Sequence, residues 1–290
     1  MRRLLSASWI GLLCLGALVA TLVVYPTLLR ALPQARAERA QSGIQRSWCR
    51  LVLKALNIKV DAEGVPAPAP VLWSSNHISW IDVLVLKSLR DVRFLAKQEV
   101  AHWPLIGLLA ARTGTLFVRR GDARSTRDAT HQMAWALRRN ETLVLFPEGT
   151  TTDGKQLLRF QPRLYQAACM AQAPVQGVAL RYAGQGAGSV PFIGDDAFVP
   201  HLWRLLGTGP AQVVVHFCTV HASLDQTRDQ LAARTQQEIA ESLWPELQCS
   251  GQGSTPGRTR TNGPRNNASD HQPGPFDTAP QATPNQSTAR

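Results

Sequence analysis

The stretch VLWSSNHISWIDVLVLKSL, Val71 to Leu89, decides the fold. VLWSS is a short apolar run of the kind that forms a buried strand, Ser74, Ser75 and Asn76 are turn formers, and IDVLVLKSL is a helix too apolar to stand in water. Downstream the same alternation repeats. VRFLA, TLFV, TLVLF, VQGVALRY and QVVVHFCTV read as strands, and helices are expected near Ile81 to Leu89, Val100 to Arg112, Ala123 to Arg139, Pro162 to Ala171 and Leu224 to Leu243. Strands alternating with helices predict an α/β fold, a mostly parallel or mixed sheet flanked by helices on both faces.

Ahead of this region, Leu4 to Leu29 carries no charge. That run exceeds the roughly 20 residues needed to cross a bilayer, and it is longer than the apolar core of a signal peptide, about 7 to 15 residues. A retained N-terminal membrane helix is expected. Arg30, Arg36, Arg39, Arg46 and Arg50 outweigh Arg2 and Arg3, which places the body of the protein in the cytoplasm, at the inner membrane. Ile44, Trp48, Leu51, Val52 and Ala55 then recur at helical spacing opposite Arg39, Arg46, Arg50 and Lys54. Such a helix lies on an anionic bilayer surface or packs its apolar stripe on the domain. Three parts follow: an anchor with its amphipathic helix (1–62), a catalytic domain (63–247) entered through the Pro-rich EGVPAPAP, and a tail (248–290) with one Phe, expected to be disordered.

A formal net charge of +11 calls for an anionic partner. No recognised nucleic-acid module is present and the arginines are spread along a membrane-leading chain, so an anionic membrane is expected and nucleic acid is not. The five cysteines show neither C-x-x-C nor metal-ligand spacing, which predicts reduced thiols and no metal.

His77 and Asp82 are five residues apart. On one regular helix they would diverge by about 140° and never touch. They meet only if His77 sits in the turn after VLWSS and Asp82 in the first turns of the next helix, at the strand ends where ligands bind in open α/β sheets. There Asp82 would fix the imidazole tautomer and leave the other nitrogen to take a proton from a hydroxyl. The pair also reads as a solvated turn histidine beside a capping aspartate. Two more strands end in suggestive residues. GTLFVRRGD, Gly114 to Asp122, delivers Arg119 and Arg120, whose planar guanidinium forks suit phosphate. LVLFPEGTTTDG, Leu143 to Gly154, offers Glu148 as an acceptor for substrate hydroxyls, with Gly149 and the threonines as donors. A hydrolase using Ser79 or Cys169 would lack the G-x-S-x-G elbow.

Together, N-H-x-x-x-x-D at Asn76, His77 and Asp82, G-x-x-F-V-x-R at Gly114 to Arg120, F-P-E-G-T at Phe146 to Thr150 and A-P-V-Q-G-V-A-L at Ala173 to Leu180 resemble the four ordered blocks of the glycerolipid acyltransferases, the 1-acylglycerol-3-phosphate acyltransferases and their relatives. The likeness spans roughly Val71 to Tyr182. It implies that His77 is the general base, Asp82 its orienting partner, Arg120 a phosphate ligand, and Glu148 with Gly149 part of the acceptor pocket. Asn76, Lys97, Arg119 and Thr150 complete the implied substrate-binding set. The implied reaction moves a fatty acyl group from acyl-CoA or acyl-carrier protein to the free hydroxyl of a lysolipid, without a cofactor. Thr151 stands where many members carry Arg, and Gly177 where proline is common. The acceptor is therefore open between 1-acyl-sn-glycerol-3-phosphate, taken first and giving phosphatidate, and a lyso-ornithine lipid or another lysophospholipid. A non-enzymatic basic protein binding lipid or nucleic acid is the rival from a different class.

Overall fold

At the centre of a seven-stranded sheet lies VLWSS, in a computed structural model that describes residues 2–103, 106–119 and 121–244. The strands are β1 (Ile58–Glu63), β2 (Val71–Ser75), β3 (Arg93–Lys97), β4 (Leu116–Val118), β5 (Thr142–Leu145), β6 (Val175–Ala183) and β7 (Ala211–His221), in the spatial order β1-β7-β6-β2-β5-β3-β4. All pairings are parallel except β6 with β7. The sheet is thus mixed. Because β2, β3, β4 and β5 run the same way, their carboxyl ends share one edge.

Nine helices among the described residues cover the sheet: α1 (Arg2–Val19), α2 (Tyr25–Ala31), α3 (Gln34–Ala55), α4 (Ile81–Leu89), α5 (Ile106–Arg112), α6 (Ala123–Arg138), α7 (Gln166–Ala171), α8 (Phe198–Leu206) and α9 (Arg228–Leu243). Strand alternation divides the core into two layers. Trp73, Val144, Val178 and Leu180 point to the side of α1, α3, α4 and α8, where they meet Ile10, Leu53, Val85 and Leu205. Leu72, Leu143, Leu145 and Val175 point the other way, to Met133 and Leu137 of α6 and Leu231 and Ile239 of α9. Each such side chain, fully removed from water, stabilises the fold by roughly 1.5–3 kcal/mol. Every residue of β2 is buried, as a central strand covered on both faces requires.

The uncharged N-terminal run becomes α1, one π turn (Ala20–Val24) and α2. Pro26 in the first turn of α2 has no N–H to give to the carbonyl four residues back, and the widened turn, in which the Tyr25 amide reaches the Ala20 carbonyl, lies just ahead of it. Ser6–Ala31 is long and apolar enough to cross a membrane and fits a membrane anchor. At Leu32 and Pro33 the chain turns, and α3 runs back to the domain. Trp48 of α3 donates from Nε1 to the Leu13 carbonyl (2.8 Å), and Arg50 donates from Nε to the Ser88 carbonyl on α4 (3.1 Å). The stripe of α3 therefore packs on protein, with Val52 and Leu53 buried, although Ile44 and Leu51 stay exposed.

Several details depart from the sequence reading. Ile58–Glu63, placed across the end of the anchor unit and the connector, is the edge strand β1, paired with β7. α8 was not anticipated. The expected helix Val100 to Arg112 is a 3₁₀ turn, Gln98–His102, followed by α5, and the expected Pro162 to Ala171 is a 3₁₀ turn, Pro162–Tyr165, followed by α7. The tail expected to be disordered lies outside the described residues.

Candidate active site

The chain leaves β2 at Ser75 and enters α4 at Ile81, so the turn is made by residues 76–80. Asn76 anchors its start. Its Oδ1 accepts from the Leu180 amide (2.7 Å) and its Nδ2 donates to the Leu180 carbonyl (3.0 Å), pinning the end of β2 to β6. Asn76 is buried and engaged on both amide atoms. It braces one strand against the other.

Asp82 anchors the other end. One carboxylate oxygen, Oδ2, accepts from the backbone amides of Ile78 (2.7 Å) and Ser79 (2.9 Å) and contacts Nδ1 of His77 at 2.8 Å. The second oxygen accepts from the Tyr182 hydroxyl at 2.7 Å. The carboxylate is fully buried, while the His77 side chain keeps 19% of its surface in water. An ionised carboxylate only accepts, which assigns the proton on the ring to Nδ1 and makes Nε2 a free acceptor. Among the described residues Nε2 has no hydrogen-bond partner. The imidazole is stacked on Phe146, with ring centroids 3.8 Å apart and planes 12° from parallel. Burial, and then the negative charge of Asp82, push the Tyr182 hydroxyl well above its usual range, so it acts as a hydrogen-bond donor and not as an acid.

The loop after β5 locks onto this turn from the side. Glu148 accepts from the His77 amide at Oε1 (2.9 Å) and from the Leu158 amide at Oε2 (2.9 Å). Burial pushes its carboxyl above the ordinary value, and the two amides and His77 pull it back part of the way. Each oxygen takes one backbone amide, so Glu148 holds the His77 backbone in place. The Thr152 amide donates to the His77 carbonyl at 2.8 Å, closing the same joint. Gly149 takes φ +76°, and an added Cβ would lie 2.6 Å from Gln161 Nε2, so this position needs glycine. Thr150 is exposed beside it, whereas Thr151 donates its hydroxyl to the Phe192 carbonyl.

A third support comes from beyond the recognised blocks. The Phe192 amide donates to the Ile78 carbonyl at 3.0 Å. Trp80, inside the His77–Asp82 turn, donates from Nε1 to Nδ1 of the buried His201 (3.0 Å), whose Nε2 then donates to the carbonyls of Pro191 (3.0 Å) and Val190 (3.2 Å). Nothing in the spacing of the sequence signalled Tyr182 or His201. Each lies 100 residues or more from its partner, and only strand register and the docking of α8 bring them together.

Of the expected cations, Lys97 ends β3 at the His77 edge and pairs with Glu99 at 3.1 Å. Arg119 follows β4 at the same edge and is exposed, its amide held by the Ser125 hydroxyl. Arg120 lies outside the described residues. The nucleophiles considered for a hydrolase do not fit. Ser79 is completely buried, and Cys169 sits on α7 with its thiol pushed up by burial. Cys14, Cys49, Cys169 and Cys218 are all free.

An imidazole with one nitrogen tied to a buried carboxylate and the other open, at the carboxyl edge of an α/β sheet, is an arrangement suited to taking a proton from a hydroxyl. Comparison with known proteins narrows the class. The family profile described as Acyltransferase matches residues 57–181. A lyso-ornithine lipid O-acyltransferase of Pseudomonas aeruginosa is 38% identical over 241 residues, 82% of this chain and 92% of its own length. A 1-acyl-sn-glycerol-3-phosphate acyltransferase of Neisseria meningitidis serogroup B is 32% identical over 196 residues, covering 66% of this chain and 76% of that protein. The crystal structure of the 1-acyl-sn-glycerophosphate acyltransferase of Thermotoga maritima superposes with a TM-score of 0.64 at 17% identity, over 88% of this chain and all of that one, so the fold is shared. The chain belongs to the acyltransferase family, as an O-acyltransferase.

Proposed function

We propose that the protein transfers a fatty acyl group from a soluble thioester, acyl-CoA or acyl-carrier protein, to the free hydroxyl of a lysolipid at the inner membrane, with the catalytic domain on the cytoplasmic side. The observation that carries this reading is the 2.8 Å contact of His77 Nδ1 with the buried Asp82, which leaves Nε2 open at the sheet edge. In the reaction, Nε2 takes the hydroxyl proton as the oxygen attacks the thioester carbonyl. A C–O bond forms, the C–S bond breaks as the tetrahedral species collapses, and the imidazolium returns the proton to the departing thiolate. Asp82 stabilises the imidazolium between these steps. The thioester is already activated, so neither an acyl-enzyme nor a cofactor is needed.

Among the acceptors, the loop after β5 favours a lyso-ornithine lipid over 1-acyl-sn-glycerol-3-phosphate or another lysophospholipid. Thr151 brings no guanidinium to the site, and its hydroxyl is turned onto the Phe192 carbonyl. The relative with the higher identity of the two described acts on that lipid. The second reading is 1-acyl-sn-glycerol-3-phosphate, supported by the exposed Arg119 at the edge and by the Neisseria relative. Full-length protein in vesicles, offered each lysolipid with the same donor, separates the two. His77→Ala should abolish transfer, a loss of about 10²–10⁴-fold, with vesicle binding and melting temperature unchanged. Near wild-type turnover in that variant would remove His77 from the chemistry.

A further inference from the structure

The two layers that cover the sheet expose different chemistry. On the layer of α1 and α8, apolar side chains face outward: Leu12 and Leu15 on α1, and Val199 (72% exposed) and Trp203 (45%) on α8. α6 lies on the opposite layer, with Met133, Ala134, Ala136 and Leu137 turned into the core. Its exposed positions are Arg124, Arg127, Asp128, His131, Gln132, Trp135, Arg138 and, just past its end, Arg139; the four arginines, His131 and Trp135 dominate this face, with Asp128 among them. At 100° per residue the arginines, His131 and Trp135 fall within an arc of about 120°. Asp128 is the one carboxylate in the helix.

An ordinary solvated helix face mixes signs and pairs them at i, i+4. Here Arg124 and Arg127 have no ion-pair partner among the described residues, and Arg138 reaches a backbone carbonyl, that of Met170. Arg139 lies 4.6 Å from the ring centroid of Trp135, which is 55% exposed. An exposed Trp with a guanidinium over its ring, beside further arginines, is the composition that carries binding energy in protein interfaces.

We propose that the outer face of α6 docks a soluble acidic protein that carries the acyl group as a thioester. The proposal rests on the acyl-transfer reading above and names the donor. A bilayer is the poorer partner for this face, because the anchor and the exposed apolar side chains of α8 lie on the other side of the sheet. The placement also suits delivery. α6 begins at the carboxyl end of β4, the edge shared with His77, and β4 is three strands from β2, about 14 Å. Arg124 and Arg127, in the first turns, therefore lie nearest the site.

The test uses full-length protein in vesicles, with acyl-CoA and acyl-carrier protein of equal chain length as donors. The variant is R124E/R127E; both positions are exposed, and acidic residues at the start of a helix are favourable, so the fold is kept, as a melting curve checks. KM for the carrier-borne donor should rise about tenfold or more, with kcat and both constants for acyl-CoA unchanged. Arg127→Ala alone should raise the same KM by about threefold. In the wild type, that KM should climb more steeply than the one for acyl-CoA between about 50 and 300 mM salt. Three results would overturn the docking while leaving acyl transfer in place: an unchanged KM for the carrier, use of acyl-CoA but not of the carrier by the wild type, or an equal loss with both donors together with weaker vesicle binding, which would make α6 a membrane face. Absence of transfer from either donor in the wild type would overturn both readings.

Discussion

Replacing Asp82 with asparagine separates the charge of this side chain from its hydrogen bonding. The carboxylate takes four donors: the amides of Ile78 and Ser79 and Nδ1 of His77 at one oxygen, and the Tyr182 hydroxyl at the other. An asparagine carbonyl in place of Oδ2 still accepts the first three, and its NH₂ donates to the Tyr182 oxygen. One hydroxyl proton is left without an acceptor, at about 1–3 kcal/mol. Alanine instead orphans all four buried donors, which at ~1 kcal/mol or more each reaches about 4 kcal/mol or more, a large part of the 5–15 kcal/mol that holds a domain together. Asp82→Asn should therefore fold and Asp82→Ala should melt much earlier.

For activity, a hydrogen bond to a charged group contributes about 1.5–3 kcal/mol against 0.5–1.5 for a neutral one, so the imidazolium loses roughly 1–1.5 kcal/mol of support, or about tenfold in rate. Initial rates on both proteins, with thermal melts alongside, measure the two effects. Full activity in Asp82→Asn would show that the carboxylate does not act on His77. A melting temperature for Asp82→Ala equal to that of Asp82→Asn would show that it does not hold the turn.

Three further outcomes are expected. His201 is held neutral, with burial pulling its pKa below the usual value; the unfolded chain then binds the proton first as pH falls, so its contribution is full above about 6.5, the unfolded value, and is lost as pH drops through the folded one. Melting temperature should fall across that window, and His201→Gln should flatten the fall; an identical pH dependence in both proteins would exclude His201 as its source. Gly149→Ala should lose about 1–2 kcal/mol in denaturant titration, because its φ is +76°; an unmoved midpoint counts against the strain. Asn76→Ala should lose about 2–4 kcal/mol, since the Leu180 amide and carbonyl are left unpaired. A fully stable Asn76→Ala with a raised acceptor KM would place Asn76 in the binding site.

What was legible in the sequence is local. VLWSS, the turn formers after it and the apolar IDVLVLKSL place His77 and Asp82 within reach because only a strand, a turn and a helix fit that pattern, and the structure has that arrangement. The mixed sheet follows from the same alternation. What was not legible depends on register between distant segments. VQGVALRY identifies a strand, but not that its tyrosine reaches Asp82, which requires Leu72 to face Val175 across the β2–β6 ladder. Glu148 shows the same limit. A carboxylate after a strand gives no sign that the fold brings the His77 and Leu158 amides to its two oxygens. β1 was hidden by its short, half-polar sequence IKVDAE, in which pairing with β7 overrides a weak pattern.

Ile10, in the middle of α1, is 8% exposed and shares a core with Trp73 and Val215, and Ala7, Leu13 and Cys14 pack around it. Trp9, Leu12 and Leu15 face away. Cutting α1 off to obtain a detergent-free preparation would remove Ile10 from the core cluster that holds Leu53, Leu56 and Leu205, and should cost stability. A water-compatible version has to keep the inward row and rewrite the outward one, because the greasy handle of this enzyme is also one of its walls.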